Sequence, residues 1–190
     1  MIKATMPEQH QDMFQPNASF PGHVLHEAEA ELNQLVRVLQ EEGIKVHRPN
    51  QVDWSKVGGY TAAMARDGLM TVGNTIIEAP FAWRSRKREI DLAYGNVLDE
   101  LATDPRTTVV RTPKRHGADT IYDDNQQDVH ANGWAINNTR PAFDCADFMR
   151  FGKVLIGQYS NVTNEKGVDY LRAHIPEGYT VEMLEGAQAY

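Results

Sequence analysis

At 190 residues the chain is long enough to bury a substantial core in one domain, or in one large piece of a bigger one. Apolar residues at 41% and charged residues at 24% exclude a fibrous or disordered polymer. A formal charge of -7 excludes a chain whose main task is neutralising phosphates, so nucleic acid is not an expected partner.

No stretch approaches the run of about 18 apolar residues that spans a bilayer, and residues 1–20 are polar with no apolar signal core. The expectation is a cytoplasmic protein with no membrane partner. Its one cysteine, Cys145, rules out an internal disulfide, and the three glycosylation-type sequons starting at Asn17, Asn137 and Asn161 read as chance matches.

In chain order, residues 22–42 read as a helix, because Leu25, Ala28, Leu32, Leu35, Val36 and Leu39 recur at three- and four-residue steps and Gly43 supplies a stop. A short strand over 44–47 follows. Residues 69–78 read as a hairpin, two apolar runs about Gly73-Asn74, a pair that tolerates positive φ. A second hairpin is expected over 148–156 about Gly152-Lys153.

Each hairpin leads into a helical stretch, roughly 86–102 and 164–174, and then a strand, about 107–111 and 179–184. The order strand, strand, helix, strand thus occurs twice. At an offset of 79 the hairpins align, with Met70 on Met149, Gly73 on Gly152 and Ile77 on Ile156, a weak internal repeat. Residues 112–142 carry Pro113, Gly117, Asn125, Gly133 and Pro141 with little periodicity and read as a long functional loop.

Three blocks carry more specific information. The chain reads MARDGLMTVGNTIIEAPFAWRSR over 64–86, FDCADF over 143–148 and SNVTNEKGVDYLRAH over 160–174. In this order they closely resemble the arginine:glycine and inosamine-phosphate amidinotransferases, from about Pro21 onward. The resemblance implies an α/β fold of the pentein type, five ββαβ modules around a pseudo-fivefold axis with a central active site. The strand and helix order reached from periodicity agrees with it. On that basis the chain is expected to be one partial domain of roughly two and a half modules: a partial module at 22–47, a module at 64–111, the loop at 112–142 and a module at 143–184.

The resembled family moves an amidino group from arginine to an amine acceptor through an amidino-cysteine intermediate, with a histidine shuttling protons. Carboxylates suit that substrate, since a planar, permanently charged guanidinium is best held by charge-assisted hydrogen bonds. By resemblance Asp67 holds the substrate guanidinium, Asp144 orients the catalytic histidine, and Arg86 meets the carboxylate end of the substrate. Arg66, Glu78 and Asp147 are candidate pocket lining, the last two balanced against purely structural hydrogen bonding. The expected small-molecule partners are arginine, ornithine and glycine, with the acceptor left open, and no cofactor is implied.

The family's histidine and cysteine fall at positions beyond Tyr190, so the lone chain is expected not to complete the transfer. One reading is a split or oligomer-completed amidinotransferase; another is a non-catalytic guanidino- or amino-acid-binding, self-associating protein. Either predicts a homodimer or a second chain completing the ring, since open modules expose sheet edges. A hydrolase of the same superfamily ranks last.

Other signals read blandly. Cys145 would be a buried structural thiol, on the argument that successive strand residues face opposite ways and Asp144 takes the channel side. His174, His116 and His130 read as solvated. His23 and His26 lack a third ligand at a matching spacing, so no metal is expected. The run 84–88 is a charge cluster opening a helix, and Trp54, Trp83 and Trp134 are assigned to packing.

Overall fold

The computed structural model describes residues 20–57, 64–86, 88–114, 119–121 and 135–184. The expectations for His116, His130, Trp134 and the Asn17 sequon lie outside the described residues. The chain divides into two compact units, with the boundary between His47 and Arg48.

The first unit contains helix α1, Gly22–Glu41. Its end follows from Gly43, whose φ of 76° lets the Gly43 N–H reach the Gln40 carbonyl at 3.0 Å and the Ile44 N–H reach that of Leu39 at 2.9 Å. This pair of reversed bonds satisfies carbonyls that the helix itself cannot. None of the α1 residues is buried within the structure; Leu25, Leu32 and Leu35 are all at least half exposed. Residues 44–47, expected as a strand, belong to neither sheet, because an extended segment becomes a strand only by pairing.

The second unit holds two modules of the same design. After the one-turn helices α2 (Trp54–Val57) and α3 (Ala65–Gly68), strands β1 (Leu69–Val72) and β2 (Thr75–Glu78) form an antiparallel hairpin about Gly73, at φ 59°. Helix α4 (Glu89–Leu101) then carries the chain back so that β3 (Thr108–Val110) pairs parallel to β2. The second module repeats this with β4 (Phe148–Phe151) and β5 (Val154–Gly157) about Gly152, at φ 61°, helix α5 (Glu165–His174), and β6 (Thr180–Met183) parallel to β5. Each sheet has the order first, second, third, with the hairpin's second strand central.

One apolar cluster joins the modules. Met70, Val72, Ile77 and Ala79 of the first pack with Phe143, Cys145, Phe148, Leu155, Val168, Leu171 and Val181 of the second. Phe143 and Leu171 are fully buried, and truncating such a residue to Ala costs about 2–5 kcal/mol. A second cluster, Phe81, Ile90 and Leu98, secures α4 against the first sheet.

One helix start differs from expectation. The stretch 86–102 divides into a 3-10 turn, Arg84–Arg86, and α4, which begins only at Glu89. Helix α5 begins at Glu165 because Asn164 caps it: its Oδ1 accepts from the N–H groups of Gly167 (2.8 Å) and Ala142 (3.1 Å), and its Nδ2 donates to the carbonyls of Asn137 and Arg140, both at 2.9 Å. A Cβ on Gly167 would lie 1.9 Å from the Ala142 carbonyl oxygen, so only glycine lets α5 dock there.

Candidate functional site

The site is built from the start of each module. Helix α3 presents Arg66 and Asp67 just ahead of β1, and the 3-10 turn Cys145–Asp147 occupies the equivalent place ahead of β4, with Asp144 extended before it. Gly68 sets the approach of α3 to its surroundings. A Cβ there would fall 2.4 Å from Ile90 Cδ1 and 2.9 Å from Phe81 Cζ, so a side chain would push Asp67 away from the residues beside α4.

Arg86 lies at the centre. Its Nη1 donates to Asp67 Oδ2 at 3.2 Å and to Asp144 Oδ2 at 2.9 Å. Its other edge forms a fork on Glu89, with Nε 3.1 Å from both carboxylate oxygens and Nη2 3.0 Å from Oε2. The guanidinium carbon sits 4.1 Å from the Phe81 ring centroid, a cation–π contact. Burial alone would lower the Arg86 pKa, but the Glu89 hydrogen bond and the charges of Asp144, Glu89 and Asp67 outweigh it, and the group is held firmly cationic.

Three carboxylates therefore share one guanidinium in a largely dry setting. Glu89 is 1% exposed, and the Asp67 and Asp144 side chains keep 17% and 12%. Asp144 feels both this burial and the surplus negative charge. Its carboxyl is pushed up to about 7, chiefly by burial, with Arg86 pulling down and Asp67, Asp147 and Glu89 adding to the rise. A carboxyl in that range can take or release a proton near neutrality, and a further cation nearby favours its ionised form.

The other sequence candidates fall around this cluster or away from it. Arg66 donates to the carbonyls of Cys145 (3.2 Å) and Phe148 (3.1 Å), clamping the first module onto the turn that carries Asp144. Asp147 accepts from Ser160 Oγ at 2.6 Å, from Thr163 Oγ1 and from Gln158 Nε2. Thr163 Oγ1 in turn accepts the Asp144 N–H at 3.2 Å, so Asp147 fixes the backbone of Asp144 through one hydroxyl. Glu78 stands apart: Arg111 Nε donates to it at 2.7 Å and the Thr112 N–H at 3.2 Å, beside a cavity of about 450 Å³ that Arg88 and Lys114 also line. A cavity of about 300 Å³ between β1 and β4 is lined by Arg66, Thr71 and Arg150 among others, and not by Asp67, Arg86 or Asp144.

Arg86 was expected at the carboxylate end of a substrate. In the structure all three of its side-chain nitrogens donate to carboxylates of the chain itself, and the bonds to Asp67 and Asp144 are ones that only long-range packing reveals. Glu89 and Thr163 were not singled out from sequence. The spacing of Glu89 three residues after Arg86, at a helix start, was the available signal. Cys145 is buried in the joint core, 2% exposed, and burial raises its thiol pKa well above the ordinary value, helped by the charges of Asp144 and Asp67 and opposed by Arg66. The reason is not strand alternation, because Cys145 opens a 3-10 turn. His174 is half-buried at the end of α5, stacked on Tyr170 with ring centroids 4.2 Å apart and Nδ1 2.7 Å from the Tyr170 carbonyl.

No family model matches the chain. It is 39% identical to the L-arginine:L-lysine amidinotransferase of Pseudomonas savastanoi pv. phaseolicola, over 97% of this chain and 54% of that protein. It is 35% identical to the mitochondrial glycine amidinotransferase of Xenopus tropicalis, over 96% of this chain and 47% of that protein. Among solved structures, the inosamine-phosphate amidinotransferase of Streptomyces griseus superposes with a TM-score of 0.73 at 32% identity, over 95% of this chain and 52% of that one. An amidinotransferase of the saxitoxin pathway of Microseira wollei also gives 0.73 at 32%, over 87% and 50%. A dimethylarginine dimethylaminohydrolase, 13% identical with a TM-score of 0.50, shares the fold alone. The fold is that of the penteins, and the chain spans about half the length of the relatives it matches. Similar to them along almost all of its own sequence and in its backbone, it belongs to the amidinotransferase family.

Proposed function

We propose that this protein handles the guanidino group of arginine-type ligands, with Asp67 and Asp144 as the acceptors, as part of amidino transfer from L-arginine to an amine such as glycine. The observation that carries the reading is the Nη1 of Arg86 lying between the Oδ2 atoms of Asp67 and Asp144, at 3.2 Å and 2.9 Å. These two carboxylates are spaced to share one guanidinium nitrogen. The names of two of the relatives, which describe arginine:lysine and glycine amidinotransferases, support the same class of chemistry.

In the transfer a thiolate attacks the guanidinium carbon, the bond from that carbon to the substrate's side-chain nitrogen breaks, and the amine leaves with a proton. An acceptor amine then displaces the thiolate. Carboxylates at the guanidinium favour this by fixing the carbon for attack. Within these 190 residues the sole cysteine is buried with its thiol pKa raised, a poor nucleophile. The proposal is therefore binding by this chain and attack by a thiolate that another segment or chain supplies.

A second chain, either another copy or the one carrying the nucleophile, also fits the exposure of Met149 and Phe151 on β4, at 61% and 56%. No described helix is long and apolar enough to cross a membrane, and a single cysteine suits a reducing compartment, which the proposal takes to be the cytoplasm.

The test is calorimetric titration with L-arginine, ornithine and glycine, alongside Asp67→Ala and the mass of the assembly by light scattering. Saturable binding of L-arginine that Asp67→Ala weakens at least tenfold is the expected result. A folded chain that ignores millimolar L-arginine would overturn the reading.

A further inference from the structure

The acceptor pair has a support that the proposed function alone does not require. Arg86 uses Nη1 on one oxygen of each aspartate, the Oδ2 atoms, while Nε and Nη2 are forked onto Glu89. Among the described residues no hydrogen bond reaches Asp67 Oδ1 or Asp144 Oδ1, and neither side chain is sealed from solvent. The Glu89 fork is the stiffer end, since it lies within one helix start, three residues from Arg86, and is 1% exposed. Phe81 covers one face of the guanidinium.

We propose that Arg86, anchored by Glu89 and Phe81, is a positioning residue: it holds Asp67 and Asp144 side by side through their Oδ2 atoms and leaves both Oδ1 atoms to accept an incoming guanidinium or ammonium group. The inference rests on the proposed function for the identity of that incoming group, but the support of the carboxylates is independent of it.

Charge balance explains why a cation is needed behind the pair. The groups facing Asp144 are Arg86, Asp67, Asp147 and Glu89, one positive and three negative. With Arg86 removed, only acidic neighbours remain, and Asp144 would hold its proton to higher pH. A protonated carboxyl no longer offers the charged acceptor that a guanidinium prefers. With Arg86 present, Asp144 sits near 7, so binding of a cation tips it to the ionised form and releases a proton. L-Arginine affinity should accordingly rise with pH through that range.

Two measurements on the 190-residue chain test this: the midpoint of the Asp144 carboxyl by carbon-detected NMR, and L-arginine affinity between pH 6 and pH 8. Arg86→Met should raise the Asp144 midpoint by about one unit or more and weaken L-arginine about fivefold or more at pH 7, since the ionised fraction falls from about one half to about one tenth. Arg86→Lys keeps the charge but has no planar fork to span Glu89 and the aspartates, so its midpoint should stay near that of the wild type while affinity falls severalfold. A folded Arg86→Met with an unchanged Asp144 midpoint would sink the inference; should that variant not fold, an Arg86→Lys chain with wild-type affinity would do so. If the wild type binds no L-arginine at any pH, the proposed function fails while the Asp144 midpoints still decide the role of Arg86.

Discussion

The two modules share strand order, register and turn geometry, yet the helices that cross between their strands are started by different chemistry. In the first, α4 begins beside a charged knot in which Arg86 binds Glu89, Asp67 and Asp144. In the second, α5 begins on a neutral cap: Asn164 ties in the carbonyls of Asn137 and Arg140, while the acids nearby are each met by neutral donors, Asp147 by Ser160 and Thr163 and Glu165 by Asn138. A cap made by a neutral amide, its partners satisfied within the chain, fixes geometry without a titrating group of its own. A knot with surplus charge holds geometry at some cost, and remains responsive to protons and to added cations. The duplicated scaffold thus assigns rigidity to one helix start and responsiveness to the other.

Breaking the neutral start should have the largest effect. Gly167→Ala sets a methyl group against the Ala142 backbone carbonyl, which has no flexible side chain to swing aside, and should cost about 3 kcal/mol or more in urea unfolding. Asn164→Ala removes the cap and strands the Ala142 N–H, an expected loss of about 2 kcal/mol, equal at pH 5 and pH 8. A marked pH dependence of that loss would show that the second start is coupled to charge after all.

The charged start should reveal itself through pH. Asp144 binds its proton more tightly folded, near 7, than in the unfolded chain, near 3.8. The folded state therefore holds more protons between those values, and this group's contribution to stability falls as pH rises from about 4 through 7. Asp144→Asn keeps an acceptor for Arg86 and removes the titration, so relative to wild type it should gain stability between pH 5 and pH 8. A constant difference across that range would mean that Asp144 is ionised throughout.

Much of the backbone was legible because it is written in local patterns. Apolar runs about the turns at Gly73 and Gly152 placed both hairpins, and the leucine spacing with Gly43 placed α1 to within a residue. The one-turn helices α2 and α3 escaped, being too short to show a period. Residues 44–47 have strand-like side chains but no partner strand among the described residues, which a local pattern does not report. At the site, the motif blocks drew attention to Asp67, Arg86 and Asp144, but not to their mutual bonds, since residues 58 positions apart meet only through packing. Burial of Cys145 was expected on the wrong ground, strand alternation where a 3-10 turn stands.

Gly68 carries a consequence for behaviour in salt. Dissolved ions screen attraction between charges beyond roughly 8 Å at physiological ionic strength, but they leave contacts between apolar groups intact. The spacing of Asp67 from Arg86 is held by Gly68 packing on Ile90 and Phe81 as well as by charge. Raising ionic strength should therefore slow the arrival of a cationic ligand while the carboxylate pair keeps its shape.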